Sequence, residues 1–173
     1  GGVTLASDFA IDGNDFSTTS TTVQTGTVTL EFAGDINTAA LTGSGHLDGR
    51  MNSAVLADNL PNTVGREIAL STDLTLPGEN AVSVSDLTIS ADALTITGAA
   101  DLAADKAISA KLAANLENVA ALNPLATGSL AVNADVTGTV FAPEFSVVVD
   151  GTDIAVDGKD VEDLKITAEG KLE

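Results

Sequence analysis

The chain has 173 residues and a formal charge of -18, from 25 acidic and 7 basic residues; 44% of it is hydrophobic but only 3% is aromatic. Such a charge repels phosphate backbones and anionic membrane surfaces, so nucleic acid is excluded as a partner. With no cysteine there are no disulfides, thiolate ligands or thiol nucleophiles, and with five Phe but no Trp or Tyr the apolar surface comes from Ala, Val, Leu and Ile.

Alternation of period two runs from end to end, the mark of strands with one apolar and one polar face. The first polar stretch, Ser17 to Thr25, reads as a loop or an edge strand. Val28, Leu30 and Phe32 then alternate with Thr27, Thr29 and Glu31. Gly34-Asp35, Gly43-Ser44-Gly45 and Asp48-Gly49 carry turn chemistry. Ser53 to Leu60, closed by Pro61, favours a short helix that caps or plugs the fold.

Ile68, Leu70, Leu74 and Leu76 alternate with Glu67, Ser71, Asp73 and Thr75, and Pro77-Gly78-Glu79-Asn80 marks a turn. From Val82 and Val84 to Leu87 and Ile89 the apolar parity switches from even to odd, continuing as Leu94 and Ile96. One extra residue does this, which predicts a β-bulge near Asp86.

Leu116 to Asn123, closed by Pro124, favours a second short helix. Leu130, Val132, Ala134, Val136 and Val140 form the next apolar set, followed by Phe145, Val147 and Val149 and then by Ile154 with Val156. Leu164, Ile166 and Ala168 form the last. Asp150-Gly151 and Asp157-Gly158-Lys159-Asp160 read as turns. The fold class expected is all-β: an elongated antiparallel curved sheet with one or two short helices.

The octamer Val84 to Ala91 returns at Val161 to Ala168, and Leu56 to Gly65 resembles Val119 to Gly128. Short strands with a small helical piece argue for stacked units, so residues 1-173 read as one β-rich segment of a longer protein, with two degenerate repeats over about 27-102 and 103-173.

Catalysis finds little support. His46 is the only histidine, and no local motif supplies an oriented nucleophile and acid. A single imidazole also excludes His-rich metal sites. Asp12-Gly13-Asn14-Asp15 and the Asp150 to Asp160 turns are the places to look for calcium, but neither has a twelve-residue loop ending in a bidentate Glu. Carboxylate pairs such as Asp157 with Asp160, or Glu162 with Asp163, lack an aromatic sugar platform. The expectation is a protein that is not an enzyme, with no cofactor and no metal. The apolar stripe itself admits two readings: the closed core of a sandwich, or an open trough facing hydrocarbon.

Three stretches, NVAALNPLATG (Asn118 to Gly128), GSLAVNADVTGTVFAPEF (Gly128 to Phe145) and VEDLKITAEGKL (Val161 to Leu172), resemble the repetitive β-rich region of the TamB/AsmA-like family of Gram-negative envelope proteins. Val84 to Leu102 follows the same idiom. The resemblance implies a sheet folded lengthwise into a U-shaped, β-taco-like trough, in a periplasmic segment of an inner-membrane-anchored protein. It implies a role in holding or conducting phospholipid acyl chains between inner and outer membranes, in support of outer-membrane biogenesis. The partners it implies are phospholipid or other acyl chains and a BamA-like outer-membrane protein, the latter engaged through other regions of the full-length protein.

On that reading Val82, Val84, Leu87, Ile89, Leu94, Ile96, Leu130, Val132, Val136, Phe145, Val147, Val149, Leu164 and Ile166 line the lipid-facing groove. About a dozen strands at roughly 4.8 Å make a trough on the order of 60 Å long, against a hydrocarbon core of about 30 Å. An alternative is a scaffold that assists assembly or secretion of outer-membrane proteins through exposed strand edges, and the fragment could also form a homodimer. A third reading, a repeat of a secreted adhesin, would require calcium-dependent stability.

Overall fold

The computed structural model describes residues 2–56, 65–161 and 164–172. The alternation resolves into twelve strands: β1 (Thr4–Asp12), β2 (Asp15–Gln24), β3 (Val28–Asn37), β4 (Thr42–Asn52), β5 (Glu67–Gly78), β6 (Ala81–Ser90), β7 (Leu94–Leu102), β8 (Ile108–Leu116), β9 (Ala126–Thr139), β10 (Ala142–Val156), β11 (Lys159–Asp160) and β12 (Lys165–Lys171). They form one antiparallel sheet in chain order from β1 to β10, and both β11 and β12 pair with the far edge of β10. The sheet is open and curved, with no second layer among the described residues; contact is between hydrogen-bonded neighbours and not across a sandwich. That removes the closed-core reading. Its apolar face is accordingly half-exposed, and among the described residues only Leu116, Ala126 and Ile154 are buried apolar side chains.

Two of those turn signals mark real reversals: Glu79-Asn80 and Asp157-Gly158 each join two strands, as does Gly13-Asn14, and Gly13, Glu79, Asn80, Asp157 and Gly158 have positive φ. Others do not. Gly34-Asp35 lies inside β3, Gly43-Ser44-Gly45 and Asp48-Gly49 lie inside β4, and Asp150-Gly151 lies inside β10. Here glycine is chosen for space. A Cβ on Gly45 would come within 2.4 Å of the Phe32 ring and one on Gly49 within 3.0 Å of Leu30, so large side chains on β3 lean across β4. Ser17 to Thr25 is neither loop nor edge, since β2 pairs on both sides.

The expected helices shrink to single 3₁₀ turns at Ser53–Val55 and Val119–Ala121, each entered through an Asn, Asn52 or Asn118, whose side chain accepts from the amide two residues on. Leu116 belongs to β8, and residues 57–60 lie outside the described residues. Neither turn is long enough to cross a membrane.

Bulges bend β6, β10 and β2, and the β5–β6 register shifts once more between Thr75 and Gly78. Asp86 stands at φ 50, and Ser71 to Asp73 of β5 spans the same rise as Ser85 to Thr88 of β6, the extra residue that the parity switch predicts. Thr72, facing the gap, is buried and donates its hydroxyl to the Ser85 carbonyl at 3.0 Å. Asp153 at φ 54 makes a second bulge in β10, opposite Gly128 at φ 102. The third is in β2, where one extra residue, relative to both neighbouring strands, is inserted around Thr19 and Ser20. Their amides are taken up by the Asp8 carboxylate at 3.1 and 2.8 Å, and the Thr18 and Thr19 hydroxyls also donate to it. These hydrogen bonds, that from the Thr19 hydroxyl above all, pull the Asp8 pKa down to about 2.

Candidate functional site

Residues paired across strands share a face, so the register shows which side chains line up. One rank runs the whole width of the sheet: Leu5, Val23, Leu30, Gly49, Leu70, Ile89, Ile96, Ala114, Val132, Val149 and Ile166. A parallel rank passes through Leu74, Val84, Ala100, Ala110, Val136 and Phe145. No Asp, Glu, Lys or Arg stands in either rank. The charged residues fall on the opposite face, among them Glu31, Asp48, Arg50, Asp73, Asp101, Lys111, Asp135, Glu144 and Asp150.

All fourteen residues expected in the groove lie on the uncharged face. Leu87 pairs with Gly98, Ile89 with Ile96, Leu94 with Leu116 and so with Leu130, and Val147 with Ala134. Leu164 reaches the same face: its carbonyl accepts from the Gly151 amide at 2.8 Å, and its side chain occupies the space beside Gly151. The bulge at Asp86 keeps Val82 and Val84 in line with Leu87 and Ile89 despite their opposite parity. Val140, read as part of the same stripe, instead sits in the turn to β10.

The strongest concavity on this face is a cleft of about 580 Å³ that sequence reasoning did not find. Phe9 of β1, Phe16 of β2, Phe32 of β3 and Val82 of β6 all line it. Five strand intervals of about 4.8 Å separate β1 from β6 on a flat sheet, roughly 24 Å, so sharing one cleft requires the sheet to curl. Gly34, Gly43 and Gly45 line the cleft, and there a Cβ would meet Ser44 O, Asp35 O and the Phe32 ring at 2.4 Å. The exposed lining surface is mostly apolar, and the volume is within the range of small-molecule sites. Three of the five Phe meet here, each from a different strand, which is why no local motif announced it.

On the opposite face His46 has partners that its own neighbourhood in sequence did not disclose. Its Nδ1 lies 2.6 Å from Asp73 Oδ1, its Nε2 3.3 Å from Asp48 Oδ2 and 3.2 Å from the Ser71 Oγ. The hydrogen bond to Asp73 and the charge of Asp48 raise the imidazole's pKa above 6.5. Held between two carboxylates the ring favours its cationic form, which has no free lone pair to take a proton from Ser71. The cluster ties β4 to β5 on an open surface. The Asp12 to Asp15 stretch forms a turn in which Asp15 accepts from the Asn37 side chain at 2.6 Å, and Asp157 forms another; Glu162 and Asp163 lie outside the described residues.

Compared with family models, with curated proteins and with solved structures, the chain matches none.

Proposed function

We propose that this chain is a non-enzymatic trough segment whose uncharged face holds or conducts acyl chains, phospholipid tails in particular, between the membranes of a Gram-negative envelope. The observation that carries this reading is the apolar rank from Leu5 to Ile166, uninterrupted by charge and uncovered by a second layer. A sheet that leaves such a face open keeps contiguous apolar surface within reach of solvent, and such surfaces serve binding. The rank's eleven members, at strand intervals of about 4.8 Å, give an arc of roughly 50 Å, longer than the hydrocarbon of one leaflet.

The energetics suit conduction. A sixteen-carbon tail in water costs on the order of 13 kcal/mol at about 0.8 kcal/mol per CH₂, whereas passage from bilayer to an apolar trough is nearly neutral. The charged side chains lie on the opposite face, away from the tails. The periplasmic setting, the inner-membrane anchor and a BamA-like outer-membrane partner belong to the same proposal and rest on the family resemblance.

Val132→Asp and Val147→Glu, introduced together in the full-length protein, test it: phospholipid transfer between membranes should fall severely. Transfer at the unmodified rate by a folded double variant would overturn the reading.

A further inference from the structure

The cleft lined by Phe9, Phe16 and Phe32 has one polar wall, made of the Ser7, Thr18 and Thr21 hydroxyls. Thr21 pairs with Ser7 on one side and with Phe32 on the other, and Thr18 pairs with Gly34, so all three stand on the uncharged face. They form a chain. Ser7 Oγ lies 2.6 Å from Thr21 Oγ1, Thr21 Oγ1 lies 3.0 Å from Thr18 Oγ1, and the Thr18 hydroxyl donates to Asp8 Oδ1 at 3.0 Å. Asp8 follows Ser7 in β1 and pairs with Ser20, so it belongs to the other face, and Thr18 reaches it at the bulge of β2.

Proton count fixes the direction of this chain. A hydroxyl has one proton and two lone pairs, and an ionised carboxylate only accepts. Asp8, with its pKa of about 2, is ionised at neutral pH and takes the Thr18 proton. Thr21 must then donate to Thr18, and Ser7 to Thr21. Every proton runs toward Asp8, and the hydroxyl wall is left with lone pairs alone, both of those on Ser7 included. The bulge does not need this arrangement, because Asp8 accepts directly from the Thr19 and Ser20 amides. Thr72, on the same rank as Ser7 and Thr21, is by contrast buried and donates to the Ser85 carbonyl.

We propose that this cleft binds a single aliphatic chain whose head is a neutral O–H donor, a long-chain alcohol in kind, with the head hydroxyl donating to Ser7 Oγ and the tail lying against Phe9, Phe16 and Phe32. The ligand hydroxyl becomes one more link in a chain of donors, each polarised toward the carboxylate by the next. A carboxylate or phosphate head brings acceptors to a wall that has no proton to give, in a chain whose charge is -18. An ester carbonyl or an ether oxygen likewise finds no donor. The site rests on the uncharged face taking aliphatic chains, as proposed above, and adds the head group that one part of that face selects.

Calorimetric titration of the whole chain with 1-decanol and with its methyl ether provides the test, since the two share a tail and differ in one donor. The alcohol should bind about tenfold more tightly than the ether, as one hydrogen bond to a polarised acceptor contributes, and more tightly than decanoate. Thr21→Val keeps the branched shape that a strand favours but cuts the chain, leaving Ser7 free to donate as well as to accept. The preference for alcohol over ether should then shrink toward unity. Equal binding of alcohol and ether by the unmodified chain, tighter binding of decanoate, or a folded Thr21→Val chain that keeps the tenfold preference would overturn the proposal and leave the trough reading standing. Binding of none of the three compounds would overturn both.

Discussion

Val149→Asp and Val148→Asp place the same charge on adjacent residues of β10, on opposite faces of one sheet. Val149 stands in the central rank between Val132 and Ile166, whereas Val148 stands between Asn133 and Thr167 on the charged face. A carboxylate at 149 keeps its water and holds bound hydrocarbon away. If about three methylenes lose contact at about 0.8 kcal/mol each, affinity falls by about 2.4 kcal/mol, roughly 50-fold. The assay is a binding isotherm with a fluorescent fatty acid or phospholipid, with circular dichroism as the check on folding. Val149→Asp should bind about 50-fold more weakly while Val148→Asp binds as the unmodified chain does. Equal loss in both variants, or full binding by a folded Val149→Asp, would refute the assignment of the apolar face as the ligand surface.

Asp8 holds the bulge of β2 as a carboxylate with its pKa pulled down to about 2, so its contribution to stability is present above about pH 4 and is lost as pH falls from there toward 2. Asp8→Asn should flatten that part of the acid-unfolding profile. His46 has the opposite sign: its raised pKa makes a contribution that is complete below pH 6.5 and is lost as pH rises through the folded value. Its imidazole resonances should titrate above 6.5, and Asp73→Asn should bring the midpoint down. Asp86→Val and Asp153→Val each force a β-branched residue into a left-handed conformation and should cost about 1–2 kcal/mol in urea unfolding, with Asp86→Gly neutral or stabilising.

Much of the fold is legible in the alternation because a strand's two faces are written two residues apart whatever lies beyond them. That is why the fourteen residues expected in the groove fall on one face, and why a parity switch at Ser85-Asp86 locates a bulge. The same local chemistry misleads where glycine serves a neighbour and not its own φ. Gly43, Gly45 and Gly49 look like turn residues, yet they make room for Ile36, Phe32 and Leu30 on the adjoining strand. His46 likewise looks solitary, because Ser71 and Asp73 reach it only across the pairing of β4 with β5.

By itself the sequence determines an all-β chain, an uncharged face opposed to an acidic one, and the bend at Asp86. Whether the apolar face would be covered, and how the sheet curls Phe9 toward Val82, are decided only by tertiary structure. A strand with one apolar face reads the same beneath a second sheet as above an open trough; only the packing of distant strands distinguishes them.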